Sequence, residues 1–220
     1  MSAKARIVLC DDHPIVLAGL RSLIAAQEDF ELVGEATHGF DALRLISEVK
    51  PDVAVLDISM PQLNGILLAR RLADECPSVR VMIMTLYEDG VFVRQAMDSG
   101  VRAYVLKRSA AENLVQAIRS VLVGGIYLDP IIARLVVPSS NSVPHDLLSR
   151  KAAKAEITGR ESMVLSLAAK GFTNKEIGAQ LDVSEKSVET YKARGLEKLG
   201  LKTRAELVRY ASIQGWLADV

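Results

Sequence analysis

The sequence predicts a doubly wound α/β domain with a five-stranded parallel sheet, followed by a small all-α domain built around a helix-turn-helix. Three observations carry that expectation. From residue 5 to about 123, short apolar runs alternate with amphipathic stretches. Residues 136–146 then break the pattern with two prolines and four consecutive Ser/Asn residues. After about Glu156 the strand pattern disappears and only helical periods continue.

The apolar runs are Arg6–Cys10, Glu31–Ala36, Asp52–Leu56, Arg80–Met84 and Arg102–Leu106, rich in Val, Ile and Leu. Hydrophobicity that is nearly continuous over about five residues suits strands buried on both faces of a parallel sheet. Between the runs, apolar residues recur at helical spacing: Leu17, Leu20, Leu23 and Ile24 form one stripe, and Leu114, Ala117, Ile118, Val121 and Leu122 another. Gly34, Gly65, Gly90 and Gly100 punctuate the alternation, and Pro51 and Pro77 stand before strands, where helices must have ended. Strands alternating with helices imply right-handed crossovers. The boundaries expected are a first domain over 1–128, a linker over 129–155 with a helix near Pro130–Val136, and a second domain over 156–220. About 65 residues suffice for a compact helical bundle.

Composition excludes several classes. The chain of 220 residues is 50% apolar and 5% aromatic, with 27 Lys+Arg against 27 Asp+Glu. That is globular, not disordered, collagenous or disulfide-stapled. Zero net charge leaves no global basic excess, so any nucleic-acid binding must rest on a local patch. The balance runs from 13 basic against 16 acidic residues in 1–128, through 4 against 2, to 10 against 9 in 156–220. Cys10 and Cys76 lie far apart among apolar neighbours and read as small buried hydrophobes of a reducing compartment. The apolar run Ile7–Cys10 is too short for a signal peptide, and no apolar stretch reaches the ~18–20 residues of a membrane span. A soluble, cytoplasmic protein with no membrane partner is expected.

Asp11 and Asp12 follow the first strand, Asp57 the third, Thr85 ends the fourth, and Lys107 follows the fifth. Carboxyl ends of parallel strands share one edge, where ligands bind. Singly, each Asp also reads as a turn or helix cap. Together, three carboxylates at one edge repel one another unless a cation intervenes, and few-carboxylate coordination suits Mg²⁺. A carboxylate can attack phosphorus to give an acyl phosphate. The cation and Lys107 would neutralise the phosphoryl oxygens, and the Thr85 hydroxyl would hydrogen-bond one of them.

The ordered set Ile-Val-Leu-Cys-Asp-Asp-His-Pro, Asp-Val-Ala-Val-Leu-Asp-Ile-Ser-Met-Pro-Gln-Leu-Asn-Gly, Met-Thr and Ala-Tyr-Val-Leu-Lys resembles the receiver domain of two-component response regulators, over about residues 5–123. The resemblance implies a flavodoxin-like sheet in the order 2-1-3-4-5, and Asp57 as acceptor of a phosphoryl group from a sensor histidine kinase. It also implies Mg²⁺ held by Asp12, Asp57 and the backbone carbonyl of Ser59, with Asp11 helping through water. Thr85 and Tyr104 match the family's switch pair; read from the residue alone, Tyr104 is equally a half-buried strand side chain. Lys107-Arg108 departs from the Lys-Pro of many receivers, and a non-proline cis bond there would cost about 2.5–4 kcal/mol.

In the second domain, Thr158 with Glu161 forms a capping box, and Met163, Val164, Leu167 and Ala168 share a face up to Gly171. Thr173 caps a short helix carrying Ile177 and Leu181, Asp182-Val183 turns, and Ser184 caps a helix with Val188, Leu196 and Leu199. Two short helices joined by a brief turn make a helix-turn-helix, whose second helix lies in the major groove. The order Thr173-Asn174-Lys175-Glu176-Ile177, Val183 through Tyr191, and Lys198-Leu199-Gly200 resembles the LuxR-type module over roughly 156–213, and the whole chain resembles a NarL/FixJ-type response regulator. That resemblance implies Glu189, Thr190 and Ala193 at base edges, and Lys175, Lys186, Lys192 and Arg194 on phosphates, with Tyr191 also within reach of one. The same charges read alone are a solvated face of paired side chains, and Glu189 can pair with Lys186 or Lys192 instead of accepting from cytosine. Gly195 occupies an inner-face position usually held by an aliphatic residue, so either a neighbouring helix approaches closely there or the domain is loose.

The expected function is a regulator, not a conventional enzyme: phosphorylation of Asp57 controls sequence-specific binding to double-stranded DNA, with a homodimer covering two half-sites. A phosphatase using an aspartyl phosphate would need a second carboxylate where Ser59 stands. A receiver acting constitutively as a dimerisation module is the other alternative.

Overall fold

The computed structural model describes residues 3–136 and 157–217, and the chain divides into two compact units, Met1–Ser139 and Ser140–Val220. In chain order the first unit holds β1 (Ala5–Cys10), α1 (Pro14–Ala25), β2 (Phe30–Ala36), α2 (Gly39–Val49), β3 (Val53–Leu56), α3 (Gly65–Glu75), β4 (Arg80–Thr85), α4 (Gly90–Asp98), β5 (Ala103–Leu106), α5 (Ala110–Leu122), β6 (Tyr127–Leu128) and α6 (Pro130–Val136). A single 3-10 turn, Lys107–Ser109, joins β5 to α5.

All strand pairs are parallel, in the order β2-β1-β3-β4-β5-β6. The expected order therefore holds for the first five strands, and a sixth is added. Strands β1, β3, β4 and β5 bury both faces, as their continuous apolar runs require, whereas the edge strands β2 and β6 are only half-buried. On one face Ile7, Leu9, Val53, Val55, Met82, Met84, Ala103 and Val105 meet Leu17, Leu20 and Ile24 of α1 and Leu114, Ala117, Ile118 and Val121 of α5. The opposite layer is supplied by α2 and α3, with Ala42, Ile46, Leu68 and Leu72 buried. Each such aliphatic side chain contributes roughly 1.5–3 kcal/mol of burial.

Beyond Leu128 the chain does not leave the first unit, as the expected linker boundary implied. Asp129 is buried, α6 packs against α4, and Ile132 is wholly enclosed. The rest of the expected linker, together with Glu156, lies outside the described residues. Cys10 and Cys76 are both buried free thiols, and burial pushes the Cys10 thiol far above its ordinary range.

The second unit contains α7 (Gly159–Ala169), α8 (Asn174–Leu181), α9 (Glu185–Leu199) and α10 (Arg204–Ile213). Capping boxes open α7, α8 and α10 through Thr158/Glu161, Thr173/Glu176 and Thr203/Glu206; Ser184 accepts from the Ser187 amide at the start of α9. The core is Val164, Leu165, Ile177, Val188, Leu207, Tyr210 and Ala211. Met163 is 53% exposed, contrary to its expected place on the packed face, and Leu165 is buried instead. Packing on α7 thus falls on 164, 165, 168 and 169, one position round from the stripe expected.

Gly195 resolves into the first of its two expected alternatives. A Cβ there would lie 2.9 Å from Leu165 Cδ1 and 3.4 Å from Glu161 Cβ. Leu165 from α7 fills the volume that an aliphatic residue on α9 would otherwise take. Beside it, Lys198 Nζ donates to Glu161 Oε2 at 2.7 Å, an interaction that leads the causes holding the Glu161 carboxyl below its usual range.

Candidate phosphoacceptor site and nucleic-acid face

Register brings the remote carboxylates together. Cys10 pairs with Leu56 and Leu56 with Ile83, so Asp11 and Asp57 each stand one residue past aligned strand ends. The Asp57 amide donates to Cys10 O at 2.8 Å, and Thr85 pairs with Leu106, placing Lys107 just beyond. Local geometry then fixes the segment after Asp57. Gly65 approaches so closely that a Cβ would sit 2.1 Å from Asp57 O, and its amide donates to Ile58 O at 3.0 Å. Any side chain there would displace the backbone that carries the carboxylate. Asn64 caps α3 by accepting from the Leu67 amide at 2.9 Å.

Asp11, Asp12, His13 and Asp57 each offer one ligand atom, and these atoms all lie within 4.8 Å of one another. Asp11 and Asp57 are buried, Asp12 is partly so, and His13 is exposed. Lys107 Nζ lies 2.7 Å from Asp11 Oδ2 and 2.8 Å from Asp57 Oδ2. Asp11 Oδ2 and Asp12 Oδ1 are shielded from solvent and receive no well-angled hydrogen bond; Lys107 Nζ and, at 2.6 Å, His13 Nδ1 stand within ion-pair range of them. Three carboxylates and one ammonium leave about two negative charges to compensate. Oxygen donors with that residual charge fit a divalent cation such as Mg²⁺. His13 was not among the residues singled out, although its place beside Asp11-Asp12 was visible.

Burial pushes the Asp57 carboxyl above its ordinary range, and the hydrogen bond from Lys107 opposes the rise without cancelling it. For Lys107 burial alone would depress the ammonium, but hydrogen bonds to Asp11 and Asp57 outweigh it and hold it protonated. Asp57 is therefore a desolvated carboxylate beside a fixed cation, the environment of an activated nucleophile.

Thr85 is buried, and its Oγ1 accepts from the Tyr87 amide at 3.4 Å. Tyr104 is wholly enclosed, not half-buried, and its hydroxyl donates to Tyr87 O at 2.8 Å. Burial drives that hydroxyl far above its usual titration range, so it remains a donor. Tyr87, which the sequence reading passed over, also shares a 2.9 Å hydrogen bond with Ser59 Oγ and packs its ring against Phe92 at 5.1 Å. Its spacing two residues past Thr85 was the available signal.

In the second unit α8, the turn at Asp182 and α9 form the expected helix-turn-helix; Asp182 takes a left-handed conformation at φ 53°. Lys175, Lys186, Glu189, Thr190, Ala193 and Arg194 are exposed, and Tyr191 and Lys192 are half-buried. Thr190 Oγ1 donates to Lys186 O at 3.0 Å, turning its hydroxyl back onto α9. Lys198 is drawn to Glu161 instead of joining the cationic face.

Comparison with known proteins places both units. Residues 7–119 match the response regulator receiver domain, and residues 155–211 match the luxR family of bacterial regulatory proteins. The oxygen regulatory protein NreC of Staphylococcus carnosus (strain TM300) is 35% identical over 208 residues, covering 94% of this chain and 96% of that protein. RcsB from Salmonella enterica serovar Typhimurium, bound to a promoter in the presence of the phosphomimetic BeF3-, aligns with a TM-score of 0.75 at 26% identity, over 96% of this chain and 99% of that one. A structure of two RcsB dimers bound to two parallel DNAs aligns with a TM-score of 0.69 at 25% identity, over 96% and 98%.

Proposed function

The chain belongs to the two-component response regulators, with a receiver domain and a luxR-type helix-turn-helix that controls DNA binding and transcription, and from that premise we propose that Asp57 is its phosphoacceptor. The carrying observation is the Asp57 carboxylate, buried beside Lys107 Nζ at 2.8 Å and within a cluster of three further ligand-bearing residues.

Asp11, Asp12, Asp57 and the Ser59 carbonyl would hold Mg²⁺. Such an ion, when bound, offsets charge on the phosphoryl oxygens and on the carboxylates around them. A carboxylate oxygen of Asp57 attacks the phosphorus of a kinase phosphohistidine; the P–O bond forms as the P–N bond breaks, and the leaving imidazole takes up a proton. Lys107 supports the ionised form of Asp57 before attack and faces the transferred group after it. Thr85 stands at the neighbouring strand end with a hydroxyl that turns to a phosphoryl oxygen, and Tyr104 packs behind it. The transfer uses the chain as acceptor rather than as a turnover enzyme.

In the second unit, Glu189, Thr190 and Ala193 are assigned to base edges, and Lys175, Lys186, Tyr191, Lys192 and Arg194 to phosphates. Their exposure along α8 and α9 supports that reading. A homodimer on two half-sites is proposed by analogy with the DNA-bound RcsB dimers. No described helix is long and apolar enough to cross a membrane, which accords with a cytoplasmic regulator.

The test is labelling by a small phosphodonor such as acetyl phosphate with Mg²⁺, followed by mass spectrometry. The wild-type chain gains one phosphoryl group and Asp57→Asn gains none. Labelling that persists in Asp57→Asn removes this residue as acceptor.

A further inference from the structure

The loop that carries Lys107 has no proline after the lysine, so another device must hold it. Asp129 supplies one. Its carboxylate is 1% exposed and gathers four donors. Oδ2 accepts from the Leu106 amide at 3.3 Å, from the Ser109 hydroxyl, and from Asn113 Nδ2 at 3.2 Å. Oδ1 accepts from the Ile131 amide at 3.1 Å and so opens α6. Burial by itself would raise this carboxyl, but the hydrogen bonds led by Ser109 outweigh it and hold the group below the usual range. The Asp129 amide in turn donates to Tyr104 O at 2.8 Å.

Two of those donors bracket Lys107: Leu106 precedes it by one residue and Ser109 follows by two. The third, Asn113, belongs to α5, whose start the loop leads into. Lys107 Nζ meets both Asp11 Oδ2 and Asp57 Oδ2 within 2.8 Å, a double contact that a mobile backbone would not keep. We propose that Asp129 is a positioning residue for phosphoryl transfer: by clamping the backbone on either side of Lys107 it fixes the ammonium against the acceptor carboxylate. It touches neither the phosphoryl group nor the acceptor itself. The inference rests on the reading of Asp57 as phosphoacceptor.

The decisive variant in the full chain is Asp129→Asn. The amide keeps the shape and the acceptor for Ile131, but sets an NH₂ against the Leu106 and Asn113 donors. Two quantities are measured: the rate of phosphorylation by acetyl phosphate at saturating Mg²⁺, and Mg²⁺ affinity by calorimetry. Loss of positioning slows phosphorylation by about tenfold, because a displaced group at the reacting centre forfeits orientation. Mg²⁺ affinity should hold or rise, because a loosened ammonium competes less with the cation for the same carboxylates. A merely structural role lowers both together, and that result overturns the proposal, as does an unchanged rate. Ser109→Ala and Asn113→Ala each remove one donor and serve should Asp129→Asn fail to fold. Each is expected to slow phosphorylation about two- to threefold without weakening Mg²⁺ binding, and normal rates in both overturn the clamp. A wild-type chain that takes up no phosphoryl group overturns the acceptor reading and this one with it. Wild-type labelling with unaffected variants overturns this one alone.

Discussion

A buried aspartate surrounded by like charge is a stability cost that the fold carries for its chemistry. Asp57 lies in the same small volume as Asp11 and Asp12, with Lys107 as the nearest buried cation. Each carboxylate loses hydration on folding, and for Asp57 that loss, with a smaller repulsion from Asp11, outweighs what the Lys107 ammonium returns. Asp57→Asn removes one of the charges at nearly constant shape, so the first unit is expected to unfold at a higher temperature, by roughly 2–5 °C for a domain of this size. Lys107 keeps its contact with Asp11 in the variant, so no cation is stranded. Millimolar Mg²⁺ should raise the wild-type midpoint more than the variant's, because ligand binding stabilises the state that binds it. Calorimetry with and without Mg²⁺ reads both effects; a variant less stable than wild type in metal-free buffer would show that the Lys107–Asp57 pair outweighs the cost of burying the charge. The five residues at four strand ends, Asp11, Asp12, Asp57, Thr85 and Lys107, were legible as a set because parallel register forces them to one edge. Asp129 was not, because its role consists of contacts to Leu106, Ser109, Asn113 and Ile131 that no spacing announces, and Tyr87 left only its place two residues past Thr85 as a signal.

At the scale of elements, strands β1, β3, β4 and β5 were readable because burial on both faces writes an almost uninterrupted apolar run, and the half-buried β2 still kept Leu32 and Val33 at its centre. Strand β6 is only two residues long, too short to show a period, and its helix α6 follows in a stretch where composition suggested a linker. The helix-turn-helix was readable from its caps, since Thr158, Thr173 and Ser184 each precede a helix and accept from its first turn. Which face of α7 packs was not: residues 163 and 164 lie only about 100° apart, and both Met163 and Leu165 are apolar enough to serve. Gly195 shows how the helices settle the matter. Replacing glycine by alanine within an exposed helix gains about 1 kcal/mol. Here the new Cβ meets Leu165 Cδ1 at 2.9 Å, and Leu165 is wholly buried with little room to turn. Overpacking of that kind costs about 1–3 kcal/mol. Gly195→Ala should therefore gain nothing from its better propensity and destabilise the second unit by up to about 2 kcal/mol net in urea unfolding. A gain in stability would mean that α7 and α9 separate freely, returning the domain to the loose alternative.

The whole molecule carries equal numbers of acidic and basic residues, yet must hold a polyanion. Long-range attraction is therefore weak, and affinity depends on where individual cations stand. Lys186 is exposed near the start of α9, without a carboxylate partner for its ammonium among the described residues. Each phosphate contact contributes about 0.9 to the slope of log affinity against log salt. In a homodimer Lys186→Ala removes two such contacts, so the slope should shallow by about two while preference among operator sequences stays the same. Thr190→Ala, at a position assigned to base edges, should change preference and leave the slope alone. The salt series also separates the two ways in which the receiver can act. If phosphorylation drives assembly on DNA, acetyl phosphate with Mg²⁺ steepens the slope and tightens binding in the wild type and does neither in Asp57→Asn, because only a paired chain engages both half-sites. If the receiver pairs constitutively, wild type and Asp57→Asn share one slope with or without phosphodonor, and control by Asp57 would have to be abandoned even with its chemistry intact.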